Sequence, residues 1–390
     1  MPPSLLQAAV MGLALTACTA GPAKPVAATG KKPFVTTSLA SFDAPWAMAF
    51  LTGSGRPLLD AALVTEKGGK LWIVNTRTGA KTAVVGVPAV RVGGQGGLGD
   101  VAVHPEFVVN RRVYLSFVEA GQGGSSGAVL GYGTLDHADP ARPVLRGFKI
   151  IWRQSPKVDG DGHFAHRIAF GPDGLLYLSS GDRQKFSPAQ AMDGNLGKVL
   201  RLTPEGAPAP GNPWASKGGI AAQFWSIGHR NLLGLAFDGE GRLWESEMGP
   251  QGGDEVNLIK PGKNYGWPKA SNGSHYGGGE IPDHRRGDGF EPPKVWWNPS
   301  ISPAGLMIYK GTRWPAWTGD AFVPALSGQA LIRLDLAGET AIKADQWAMG
   351  ARIRAVTEGP GGEIYLLEDG SGGRLLRLDP APGQIRRKRK

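Results

Sequence analysis

The chain has 390 residues, enough for one large domain or two to three ordinary ones. Its 60 Gly and 31 Pro, set beside 12 Trp and 41% hydrophobic residues, point to many turns between short apolar runs. That pattern excludes a helical bundle, a coiled coil and a collagen-like fibre. The net charge is +10, but half of it sits in the last five residues, Arg386 to Lys390. The body lacks the basic stripe with interleaved aromatics that a nucleic-acid binder needs, so no nucleic acid is expected as a partner.

Residues 1–17 carry no charged side chain, and Leu5 to Ala17 form an apolar run of signal-peptide length. The run is too short to span a bilayer as a helix. It ends in Leu15-Thr16-Ala17-Cys18, which resembles a bacterial lipobox. Cys18 is the only cysteine, so no intrachain disulfide forms and its thiol is the expected lipid-attachment site. Export to the periplasm with a lipid anchor as the sole membrane contact is the expectation; an ordinary secretory signal with a chance cysteine is the alternative. The pattern lacks the usual Lys or Arg ahead of the apolar run. The Ala-, Gly- and Pro-rich stretch that follows reads as a flexible tether over 18–35. A single domain over 36–380 and a basic tail over 381–390 complete the chain.

Past residue 40 one phrase recurs: an apolar alternating run, a turn, then a second run. Trp46–Phe50 is followed by Ala62–Glu66 and Lys70–Val74. Asp100–His104 precedes Arg112–Phe117, and Arg167–Phe170 precedes Leu175–Leu178 across Gly171-Pro-Asp-Gly174. Leu233–Phe237 precedes Arg242–Trp244, Gly305–Tyr309 precedes Ala321–Pro324, and Ile353–Val356 precedes Glu363–Leu367. Each unit is a hairpin with apolar surface it cannot bury alone. Closing the units into a ring buries that surface and leaves few sheet edges. The expected fold is all-β, a six-bladed β-propeller with its site at the channel mouth. Five or seven blades, a β-sandwich and several small β domains are the alternatives.

Four polar loops are candidates for chemistry. Gly93-Gly-Gln95-Gly-Gly97 allows close backbone approach to a ligand, or is a plain turn. Asp159-Gly-Asp-Gly-His163 enters a repeat strand, and Asp182 ends the next strand, so the two can meet. A carboxylate on one imidazole nitrogen fixes the tautomer and leaves the other nitrogen as a general base. Trp225-Ser-Ile-Gly-His-Arg230-Asn231 offers a guanidinium fork suited to carboxylates. Glu247-Met-Gly249-Pro250-Gln-Gly-Gly-Asp-Glu255-Val-Asn257, with Asn264-Tyr265-Gly-Trp267, concentrates carboxylates and free carbonyls of the kind that hold Ca²⁺, though it is not an EF-hand. No zinc-ligand spacing and no G-x-S-x-G elbow is present.

Taken together and in order, these loops and the Ala351-Arg352-Ile-Arg354-Ala-Val356 strand resemble the PQQ (pyrroloquinoline quinone)-dependent aldose sugar dehydrogenases of the glucose/sorbosone dehydrogenase family, from about Trp46 to Leu376. The resemblance implies a quinoprotein oxidoreductase that converts the anomeric carbon of an aldose to a lactone by hydride transfer to PQQ. It implies His163 as base, Asp182 as its orienting group and Arg230 beside the quinone. Gln95, Arg230, Asn231, Arg352 and Arg354 are then cofactor contacts, and the carbonyls of Gly249 and Pro250 hold a Ca²⁺. Glu255 and Tyr265 hold a second, structural Ca²⁺. The electron acceptor is left unidentified, and a monomer or a dimer is open. Two positions depart from the pattern: Met248 stands where relatives often have His, and Ser327 where soluble glucose dehydrogenase has a Lys that contacts PQQ. A non-catalytic propeller that binds glycan or protein is the main competing expectation. A lactonase-like metal propeller is the second, and it needs carboxylate side chains converging on the channel.

Overall fold

The computed structural model describes residues 32–51 and 60–382. The leader, Cys18, most of the tether and the basic end lie outside the described residues. Six four-stranded antiparallel sheets account for nearly all the described secondary structure. Blade 1 runs Pro45–Phe50, Ala61–Glu66, Lys70–Asn75 and Lys81–Ala83. Blade 2 runs Leu98–Val103, Arg112–Ala120, Ser126–Asp136 and Val144–Arg153. Blade 3 runs Ala165–Phe170, Leu176–Ser180, Lys198–Leu202 and Phe224–Ile227. Blade 4 runs Leu232–Phe237, Leu243–Glu247, Asp254–Ile259 and Val295–Trp297. Blade 5 runs Met307–Ile308, Ala321–Ala325, Ala330–Ala337 and Thr340–Ala348. Blade 6 takes Ile353–Glu358, Ile364–Glu368 and Ser371–Pro380 from the end of the described chain, and its outermost strand, Phe34–Asp43, from the beginning.

The first strand of each blade neighbours the first strands of the blades on either side, and the sixth meets the first. The ring is therefore closed, and the fold is the expected six-bladed β-propeller. The core is not one mass but a set of wedges between consecutive blades. Leu63 packs toward blade 2 with Leu98 and Leu115, while its chain neighbours Ala62 and Val64 pack toward blade 6 with Tyr365 and Leu367. Successive side chains of a strand point to opposite faces, and here both faces are covered. This is why the blade strands read as nearly continuous apolar runs.

Closure depends on a strand the repeat pattern did not reveal. Phe34–Asp43 pairs antiparallel with Ser371–Pro380, from Phe34 opposite Pro380 to Asp43 opposite Ser371. It begins two residues inside the stretch read as tether. Only Phe34 and Phe42 are buried along it, so an edge strand with polar residues between carries little apolar signal.

Alternating strand direction sorts the loops. The turns from first to second strand, such as Gly171-Pro-Asp-Gly174, lie at one end of the ring. The crossovers entering each first strand, and the turns from second to third strand, lie at the other. Gln95, His163, Asp182, Arg230, the Gly249-Pro250 turn, Ser302, Arg352 and Asp369 all belong to the second set. Across the axis, the buried Arg167 guanidinium ties the inner strands together. It donates to Leu233 O at 2.6 Å and Ala304 O at 2.6 Å, pairs with Asp100 at 3.1 Å, and lies 3.9 Å from the Trp46 ring centroid.

Candidate active site

His163 and Asp182 meet as expected. Ala165 pairs with Ser180 in the first hairpin of blade 3, so the residues just beyond each strand end stand side by side. His163 Nδ1 lies 2.7 Å from Asp182 Oδ1, and the Asp182 side chain is fully buried. Asp182 meets only donors: Trp267 Nε1–H reaches Oδ2 at 2.7 Å and the Gln184 N–H reaches Oδ1 at 2.9 Å. That surrounding places the proton on His163 Nδ1 and leaves Nε2 as a free base. Burial lowers the imidazole below its usual value; the Asp182 hydrogen bond opposes this and the Arg230 charge adds to it. The ring is neutral near pH 7.

The two segments that carry His163 and Asp182 are held under strain. His163, Ala165, His166, Arg183, Gln184 and Phe186 all have positive φ. Such backbone persists only where the surroundings over-determine it. Arg183 is the clamp: it is buried, stacks 3.8 Å from the Phe164 centroid, and donates to Gly162 O at 2.9 Å, Ser126 O at 2.6 Å and Gly160 O. Gln95 is the second support, its Oε1 accepting the His163 N–H at 2.8 Å and its own N–H reaching Asp161 O at 2.7 Å. The glycines around Gln95 are required there. A Cβ on Gly94, at φ +50°, would sit 2.5 Å from Asp161 O.

A cavity of about 400 Å³ opens next to the chain following His163, walled by Gln95, Phe164, Met248, Ser302, Arg352 and Arg354 among others; His163, Asp182, Arg230 and Asn231 do not line it. Arg352 donates to Asp369 Oδ2 at 2.8 Å, and Arg354 reaches Oδ1 through two N–H groups at 2.9 and 2.7 Å. One carboxylate thus serves two guanidinium groups. A third cation on the wall, Lys67, escaped the sequence reading, because a lysine in a Glu-Lys-Gly-Gly turn looks like a solvated residue. Its Nζ donates to Gly94 O at 2.7 Å. Burial and the charge of Arg354 lower the Lys67 amine below its usual value, and Asp369 opposes them. Positive charge exceeds negative on this wall, which suits an anionic ligand. At the departure noted above, Ser327 bonds Ser302 Oγ at 2.8 Å and brings no charge.

Arg230 links the His163–Asp182 pair to the Gly249-Pro250 turn. Its carbonyl accepts the Asp182 N–H at 2.8 Å, and its Nη1 donates to Met248 O at 2.9 Å and Gly249 O at 2.5 Å. The Gly249 carbonyl therefore already faces a cation. Pro250 O lies 3.5 Å from Ser300 Oγ. Asp254 fixes the turn by accepting the N–H groups of Gly249, Ile301 and Ser302 at 2.9, 2.6 and 2.7 Å, and burial pushes it up to about 6. A Cβ on Gly249 would lie 2.2 Å from Gly253 O, so no other residue fits. Arg230 Nε and Asn231 Oδ1 are buried polar atoms without a partner among the described residues. Both were expected ligand contacts, and both have unused hydrogen-bonding capacity.

Glu255 and Tyr265 line a second cavity of about 10 Å³, room for one ion or water, together with Glu247, Arg230 and Gly249, and Met248 borders both cavities. The Tyr265 hydroxyl is committed, donating to Leu258 O at 2.6 Å and accepting from Lys260 N at 2.8 Å. Strand register enlarges the acidic set beyond the sequence reading. Glu247 stands opposite Glu255, and Glu245 opposite Asn257. The Asn257 amide donates to all three carboxylates at 3.1–3.4 Å, and Glu245 Oε1 and Asn257 Oδ1 are left without partners among the described residues. His229, Glu245 and Glu247 bring ligand atoms within 4.8 Å of one another. Burial, then the Glu247 charge, raises the carboxyls of Glu245 and Glu255. Opposed buried carboxylates of this kind suit a hard cation. They lie in the second and third strands of blade 4, whereas the carboxylate on the central cavity wall is Asp369, already shared by two arginines.

The glucose/sorbosone dehydrogenase family model matches residues 42–377. The chain is 37% identical over 344 residues to the aldose sugar dehydrogenase YliI of Escherichia coli, covering 87% of this chain and 90% of that protein. A crystal structure of a glucose dehydrogenase superposes with a TM-score of 0.83 at 41% identity, over 89% of this chain and all of the other. The PQQ-bound aldose sugar dehydrogenase of Streptomyces coelicolor superposes with a TM-score of 0.71 at 30% identity, over 90% and 99% of the two chains. Matched over most of its length by that family model and that relative, the chain belongs to the glucose/sorbosone dehydrogenase family of sugar oxidoreductases.

Proposed function

We propose that this protein oxidises aldose sugars at the anomeric carbon to lactones, with PQQ as hydride acceptor, Ca²⁺ as its companion ion and His163 as the base. The observation that carries the reading is the 2.7 Å His163–Asp182 pair, joined through Arg230 to the Gly249-Pro250 turn beside the cationic cavity. The residues fit the cofactor: three cations on the wall answer its three carboxylates, and Arg230 Nε and Asn231 Oδ1 have bonds to offer. The buried carboxylates of blade 4 fit a structural Ca²⁺. When bound, PQQ supplies an electrophilic quinone, and Ca²⁺ a Lewis acid beside it.

The chain's own residues do the rest. Arg352, Arg354 and Lys67 bind carboxylates, and Lys67 takes over the charge that Ser327 does not bring. Gln95 holds the backbone of the base, and Asn231 and Arg230 position polar groups of the ligand. Asp182 keeps the proton on His163 Nδ1, so Nε2 accepts the proton of the C1 hydroxyl as the C1–H bond gives up its hydride. The C1 hydroxyl loses its proton and C1 its hydride, and the ring becomes a lactone. Export and lipid attachment through Cys18 complete the proposal and place the reaction outside the cytoplasm. A propeller that only binds glycan has no use for a base–carboxylate pair held by strained backbone. The test is dye reduction by chelator-treated protein supplied with PQQ and Ca²⁺, across a panel of aldoses, with EDTA as control. No dye reduction with any aldose would overturn the proposal.

A further inference from the structure

Both described ends of the chain leave the propeller at one point, on the face away from the site. Phe34 stands opposite Pro380, and the Ala381 N–H donates to Pro33 O at 2.9 Å. Phe34–Asp43 finishes at the crossover into blade 1, at the mouth, so it begins at the far end. Ser371–Pro380 starts at the mouth, where Gly370 lines the cavity, and finishes at the far end. No acidic side chain follows Asp379, and the run Arg386, Arg387, Lys388, Arg389, Lys390 closes the sequence. Arg386 comes five residues after Ala381, so it lies within about 18 Å of that strand end.

The same face carries an apolar tip that folding does not need. Val109 is 80% exposed, more than any other large hydrophobic side chain among the described residues, and Val108 is 43% exposed. They occupy the short helix Phe107–Asn110, in the turn from first to second strand of blade 2. Phe107 is buried and packs in the core beneath, which turns the next two side chains outward. The turn is fixed: His104 Nδ1 accepts the Glu106 N–H at 3.0 Å and meets the Asn110 amide at 2.8 Å. Exposed Glu106 and Arg111 flank the tip and offset each other, so the net positive charge comes from the tail. Val35, beside the point of exit, adds further exposed apolar surface. A rigid apolar tip and a basic segment on one face suit an anionic bilayer. Apolar side chains enter the headgroup region while cations lie at its charged surface. A nucleic acid would use the cations alone and leave the tip without a partner.

We propose that the face opposite the site docks on an anionic lipid bilayer, through the Arg386–Lys390 tail and the Val108–Val109 tip. The mouth then opens away from the membrane, toward soluble substrate. A lipid on Cys18 would draw the same face to the membrane, because its tether enters the propeller at Phe34. The docking depends neither on that lipid nor on the sugar chemistry.

The test uses the chain from Thr19 onward, which keeps the tail and every strand of the closed ring but has neither the apolar leader nor a cysteine. It is mixed with vesicles of phosphatidylglycerol and phosphatidylcholine in equal parts, or of phosphatidylcholine alone. The expected result is sedimentation with the anionic vesicles only, weakened about a hundredfold when the five tail cations are replaced by Gln. Equal binding to both kinds of vesicle, or a tail variant that binds as well as its parent, overturns the proposal. A polarity-sensitive dye on Val109→Cys or on Val92→Cys then reads the orientation. Val92 is 57% exposed on the crossover into blade 2, at the mouth. On anionic vesicles the emission should shift to the blue at Val109→Cys and stay unchanged at Val92→Cys. A shift at Val92→Cys, or none at Val109→Cys, overturns the docking face even where the tail binds.

Discussion

Asp182→Asn tests the base by changing one atom type. The wild-type carboxylate accepts from His163 Nδ1, Trp267 Nε1 and the Gln184 N–H, and it offers none of them a donor in return. An amide in its place must turn its NH₂ toward one of those donors. Turned to His163, it donates to Nδ1 and moves the ring proton to Nε2, which abolishes the base. Turned to Trp267, it opposes an N–H and loses that bond. A hydrogen bond to a charged group is worth about 1.5–3 kcal/mol, or about one to two pKa units for the imidazole. The sign follows from the surroundings: Asp182 raises the imidazole, while burial and Arg230 lower it. Its removal therefore moves the acid limb of the rate profile to lower pH by about one to two units. The same change lowers kcat roughly 10²- to 10⁴-fold at every pH, the usual worth of a positioned base. Dye reduction by the loaded enzyme between about pH 4 and pH 8 reads both effects, and the melting temperature controls for unfolding. An acid limb that moves to higher pH, or a kcat that survives in a folded variant, refutes the reasoning.

Lys67→Gln should weaken PQQ binding about tenfold, a figure kept small because the side chain is half-exposed; titration with PQQ in the presence of Ca²⁺ measures it, and an equal Kd in wild type and variant counts against a role for this lysine. Returning Ca²⁺ to chelator-stripped protein should raise the melting temperature by about 5 °C at a hundredfold excess over Kd. Glu255→Gln should lose much of that gain, and a melting curve indifferent to Ca²⁺ would dismiss the acidic site of blade 4. Arg167→Met leaves Asp100 buried without its ion partner and should cost about 3–5 kcal/mol. Adding Asp100→Asn should restore part of the loss in a urea melt, and a double variant no better than the single one would show that the pair is not what holds the inner strands.

What the sequence disclosed was whatever repeats or lies close along the chain. The apolar phrases marked the blades because strands covered on both faces cannot hide their composition. The His163–Asp182 pair was legible because a hairpin of known span sets its two ends side by side. The other features arise only when strands are laid in register. Glu245 and Glu247 look like ordinary alternating residues until Asp254–Ile259 places Glu255 and Asn257 opposite them. Lys67 becomes part of the cavity wall because the turn from second to third strand in blade 1 rises at the same end of the ring as Arg352 and Arg354, which enter blade 6 nearly three hundred residues later. Arg167 and Arg183 stand in recognisable motifs, but each acts as a pin across segments remote in sequence, and its partners are mostly backbone carbonyls that no residue pattern can announce. The strained backbone of the segments that carry His163 and Asp182 is equally silent, since positive φ at His, Ala and Arg contradicts local preference. Local rules fail there because closure of the ring fixes where each crossover must end, and the site is assembled from those ends.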